Sequence, residues 1–91
     1  MSKDKLPYEQ FWRLIRLNEG QIIKTKTGIP FTYHIRANSI IVDGTNWPLG
    51  PKMLKYAYDL WPVDGPSGFG NRIVQRSSYV WGIFDAVKKF N

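Results

Sequence analysis

The sequence predicts an α+β fold: one small domain in which a three-stranded antiparallel β-meander packs with about three helices, in the order α-β-β-β-α-α. Three observations carry this reading. Apolar residues recur at helical spacing in three separate stretches, a segment between the first two of them alternates apolar and polar residues with period two, and glycine and proline turn signals fall where the period changes. A chain of 91 residues has room for one hydrophobic core. Such a chain buries only roughly 60–65% of the surface its unfolded form exposes. Four Trp, five Tyr and five Phe are available to fill that core, and each aromatic buries roughly 150–250 Å². The expected organisation is a flexible basic N-terminal tail over 1–6 and a single α+β domain over 7–91.

The first helix is expected over 7–18, where Tyr8, Phe11, Trp12, Leu14 and Ile15 recur on one side and Glu9, Arg13 and Arg16 on the other. Pro7 suits a helix start, Glu9 and Arg13 form a favourable i,i+4 pair, and Gly20 stands where a left-handed residue ends a helix. Strands follow at 21–27, 31–36 and 39–43, separated by Thr27-Gly28-Ile29-Pro30 and Ala37-Asn38. In the second strand Phe31, Tyr33 and Ile35 face inward, and Thr32, His34 and Arg36 face outward. A register that buries Ile23 in the first strand sends Lys24 and Lys26 to the outer face. The third, Ile40-Ile41-Val42, is apolar throughout and suits a central strand. A second helix is expected over 51–60, opened by Gly50-Pro51, striped by Met53, Leu54, Ala57, Tyr58 and Trp61, and stopped by Pro62. A long glycine-rich loop over 62–70 leads to a third helix that begins at Ser77 or Ser78 and runs to about Lys89, with Val80, Ile83, Phe84 and Val87 inward.

Several function classes find no support in these residues. No cysteine means no disulfide scaffold and no thiolate zinc site, and it suits a reducing, cytoplasmic location. His34 is the only histidine, so no histidine metal cluster is expected. The opening residues carry no apolar core of a leader peptide, and no apolar run exceeds four residues, against the roughly 20 needed to span a bilayer. The carboxylates are scattered singly, and Ser67, Ser77 and Ser78 lie in no nucleophile-elbow context. A non-catalytic protein without cofactor or metal is the expectation.

Charge is the strongest compositional signal, with a formal net charge of +6 and a pI near 9.8. It is also located: residues 13–36 hold five basic side chains against Glu19 alone. Lys24, Lys26, Thr32, His34 and Arg36 on one sheet face, with Arg72, Arg76, Lys88 and Lys89 as further phosphate contacts, form the candidate nucleic-acid surface. The leading expectation is a small basic binding domain for nucleic acid, of the kind a regulatory or mobile-element accessory protein carries. Two alternatives stand beside it. A protein-interaction module or inhibitor would present Trp47, Phe69 and Trp81 as anchors, with the mid-helix Gly82 admitting a partner's backbone. A phosphorylated-ligand binder would use the loop of Gly65, Gly68 and Gly70, whose backbone N–H groups turn toward one anion, with Arg72 or Arg76 as counter-charge. That loop matches neither the dinucleotide-binding fingerprint nor the Walker loop.

Overall fold

The computed structural model describes residues 6–45, 48–69 and 76–90, with Lys89 and Phe90 described by backbone only. The expected tail over 1–6 therefore lies, apart from Leu6, outside the described residues. The α+β class holds: three helices surround a small antiparallel sheet layer. Helix α1 spans Tyr8–Leu17, α2 spans Pro51–Leu60 and α3 spans Ser77–Phe90. None of them is long and apolar enough to cross a membrane.

The sheet layer is divided rather than continuous. Strands β1 (Ile23–Lys24) and β2 (Pro30–Phe31) form one ribbon, while β3 (Tyr33–Arg36), β4 (Ser39–Val42) and β5 (Pro48–Leu49) form a second sheet with β4 central. The expected second strand thus breaks at Thr32. Its inward and outward alternation runs through the break, but its pairing partner changes, with Phe31 opposite Ile23 and Tyr33 opposite Val42. The two-residue turn Ala37-Asn38 sets the register of the second sheet, placing Arg36 opposite Ser39 and His34 opposite Ile41.

Gly20 shows how α1 hands the chain to the sheet. Its φ of +88 is a left-handed conformation that glycine adopts without a Cβ penalty. The turn directs its N–H to the Tyr33 carbonyl at 2.9 Å, and the preceding Glu19 carboxylate accepts the Ile35 N–H at 2.8 Å. Both groups lie on the outer edge of β3, so the α1–β1 link covers part of that edge.

The core is aromatic. Phe84 on α3 is fully buried and meets Phe11 of α1 edge-on at 5.0 Å, Trp61 at the end of α2 at 5.4 Å, Tyr58 at 6.1 Å and Phe69 at 6.1 Å. The whole expected stripe of α3, Val80, Ile83, Phe84 and Val87, is buried. Beneath the second sheet the Tyr33 hydroxyl donates to the Ile15 carbonyl at 2.5 Å. Burial, with a smaller contribution from Glu19, pushes that phenol well above its ordinary pKa, so it stays a donor.

Candidate nucleic-acid interface

The expected basic face resolves into two separate groups of residues. The first surrounds a groove of about 320 Å³ between the β1 segment and α3, lined among others by Ile22, Lys24, Lys26, Trp81, Gly82 and Asp85. Period-two alternation places it there: Ile23 and Thr25 are buried, and Lys24 and Lys26 point out. Ile22, just before the strand, is 74% exposed at the groove. On the helix side Trp81, Asp85 and Lys88 follow at i, i+4 and i+7, so one face of α3 runs from the half-buried indole past the carboxylate to an exposed lysine.

Trp81 is held on several sides. Its indole N–H donates to the Val63 carbonyl at 3.1 Å, its ring meets Trp61 at 6.4 Å, and the Lys26 ammonium lies 5.3 Å from its ring centroid. The same ammonium donates to the Asp64 carbonyl at 2.7 Å. Lys26 therefore leaves the sheet row and clamps the 63–65 segment against α3, while its charge stays beside the groove.

Gly82 is explained by close packing. A Cβ there would stand 2.9 Å from the Lys24 carbonyl oxygen and 3.1 Å from the Phe31 ring. Helix propensity alone makes Gly82→Ala favourable by about 1 kcal/mol. The contact with strand backbone reverses the sign, because β1 and α3 must separate, and a net loss of about 1–2 kcal/mol is expected on overpacking grounds. Urea denaturation of the variant measures it; a gain in stability would show that the approach is looser than described.

The second group lies on the outer face of the β3–β4 sheet. Thr32 donates its hydroxyl to one Asp43 oxygen, and His34 Nδ1 lies 2.7 Å from the other. The Thr32 hydroxyl first, and then the His34 imidazole, hold the Asp43 carboxyl below its ordinary pKa. Arg36 is exposed two residues along the same face. Asp43 was not among the expected site residues, yet the register carries it: counting back from the Ala37-Asn38 turn puts Asp43 opposite Thr32. The face is consequently mixed in charge rather than uniformly cationic.

Several other expectations are corrected. Phe69 is 3% exposed and stacks at 6.2 Å on Trp61, so it is a core residue and not a surface anchor. Among the described residues the glycine loop does not form an anion nest: Pro66–Phe69 is a short 3-10 helix, and the Gly68 N–H is taken by the Gly65 carbonyl at 3.0 Å. Close packing accounts for these glycines too, since a Cβ at Gly68 would come within 2.5 Å of Val63 and one at Gly65 within 3.0 Å of the Lys26 stem. Arg76 is exposed and has a left-handed φ of +57, and its carbonyl accepts the Tyr79 and Val80 N–H groups at 3.0 and 3.2 Å. It opens α3 instead of a serine cap. Trp47, Gly70 and Arg72 lie outside the described residues, as does the Lys89 side chain.

Among the described residues no group of three or more His, Cys, Asp or Glu side chains is placed to hold a metal ion. The fold and its grooved face define a small basic α+β domain in which strand β1 with Lys24, and the turn after it with Lys26, lie against a tryptophan-bearing helix. No family model, no curated protein and no solved structure matches this chain.

Proposed function

We propose that this domain binds single-stranded nucleic acid along the groove between β1 and α3. The observation that supports this reading is the convergence of Lys24, Lys26 and the half-buried indole of Trp81 on one groove. Cations beside an aromatic ring meet the two sequence-independent needs of a single strand, phosphate neutralisation and a surface against which an unstacked base can lie. The exposed Ile22 extends that apolar surface, and Lys88 continues the cationic flank along α3.

Fluorescence anisotropy of a labelled oligothymidylate across a salt series tests the reading. Log affinity should fall linearly with log salt, and each phosphate contact removed should flatten the slope by about 0.7. Lys24→Ala, at an exposed position without the clamping role of Lys26, is the informative variant. Salt-insensitive binding, or none at low salt, overturns the proposal.

The 74% exposure of Ile22 favours a second reading, a protein partner that seats an apolar side chain in the groove. In that case Ile22→Ser weakens the complex far more than Lys24→Ala does, and salt matters little.

A further inference from the structure

The Thr32, His34 and Asp43 group is not used by the groove, and its geometry fixes a tautomer. Asp43 has both carboxylate oxygens engaged, one by the Thr32 hydroxyl and the other by His34 Nδ1. An ionised carboxylate only accepts hydrogen bonds, so Nδ1 carries the proton. In the neutral ring Nε2 then presents a lone pair. The ring is 43% exposed, and it makes no other hydrogen bond among the described residues.

A phosphodiester oxygen is also an acceptor. Against neutral His34 it meets lone pair with lone pair, and against the protonated ring it meets an N–H donor carrying positive charge. Arg36 lies two residues further along the same face, and its guanidinium is always charged. Asp43 faces the imidazole from the end of β4, Arg36 from its own strand, and Glu19 sits at the β3 edge on the Ile35 N–H. From β5 come only Pro48 and Leu49, neither of which titrates.

We propose that the outer β3–β4 face is a proton-gated phosphate contact, in which protonated His34, oriented by Asp43 and Thr32, acts with Arg36 on a backbone phosphate of the bound strand. This rests on the nucleic-acid reading but concerns a different face and a different variable. The groove responds to salt alone. The sheet face responds to pH, because binding takes up one proton at His34.

The test is anisotropy with oligothymidylate at fixed salt from about pH 7.5 down to about pH 5.5. Wild-type affinity should rise on acidification by up to about tenfold per pH unit, the limit for uptake of one proton. His34→Gln, which keeps a neutral donor, should bind with a flat profile, and Lys24→Ala should keep the pH dependence while losing salt slope. Because His34 is the sole histidine, its imidazole NMR signals are unambiguous, and they should shift when the oligonucleotide is added. Binding with the same pH profile in wild type and His34→Gln, or unmoved imidazole signals, overturns the proton-gated contact and leaves the groove reading standing. Absence of oligonucleotide binding at low salt and about pH 5.5 overturns both.

Discussion

Phe84→Ala should destabilise the domain by about 3–5 kcal/mol, at the top of the range for truncating a buried aromatic. The ring is fully buried and is the meeting point of four others, from α1, α2, the 3-10 helix and the end of α2. Truncation removes its own transfer energy and also withdraws one wall from each neighbour. Those neighbours are tied to each other: Phe11 stacks on Tyr58 at 4.4 Å, and Trp61 on Phe69 at 6.2 Å. The site therefore has little freedom to collapse, and the loss is large against the roughly 5–15 kcal/mol that holds a typical domain folded. Urea denaturation of Phe84→Ala and Phe84→Leu checks this, with the leucine variant recovering part of the loss. A cost under about 1 kcal/mol for the alanine variant would contradict this packing.

Trp81→Ala should have the next largest effect, about 2–4 kcal/mol, below the full aromatic-truncation value because the ring is half-buried. The indole joins parts of the chain that are distant in sequence: the 63–65 segment through the Val63 carbonyl, α2 through Trp61, and the β1 segment through Lys26. Trp81→Phe separates the contributions, since it keeps a ring for Trp61 and Lys26 but loses the N–H, at a cost of about 1 kcal/mol. A double-mutant cycle of Trp81→Ala with Lys26→Ala should give a coupling of about 0.5–1 kcal/mol, the range for an exposed cation–π pair. The same variants carry the binding test, because Trp81→Phe retains a stacking surface and should keep more oligothymidylate affinity than Trp81→Ala. Equal loss in both would remove the base-stacking role from the reading.

The helices were legible because their apolar stripes repeat over several turns; Val80, Ile83, Phe84 and Val87 form a period that admits one burial pattern. The division of the sheet was not legible. Alternation continues unbroken from Phe31 through Arg36, and a change of pairing partner at Thr32 leaves no mark on a period of two. Strand β5 is too short to show any period. In the site, outward lysines and an unusual mid-helix glycine beside Trp81 followed from local pattern, and the groove joins them. Lys26 turning to the Asp64 carbonyl, 38 residues away, depends on tertiary approach alone. Phe69 is an isolated aromatic among glycines, with no neighbouring stripe to announce its burial.

The partial covering of the β3 edge has a consequence for how copies of this chain meet. A sheet edge with unpaired N–H and C=O groups is a template for strand addition from another molecule. Here the Tyr33 carbonyl and the Ile35 N–H are already occupied by Gly20 and Glu19. At the opposite side of the same sheet, β5 is two residues long and begins with Pro48, which has no N–H to offer. Among the described residues both borders of this sheet therefore offer fewer free backbone groups to an incoming strand, which weakens strand addition as a route by which copies of the chain associate.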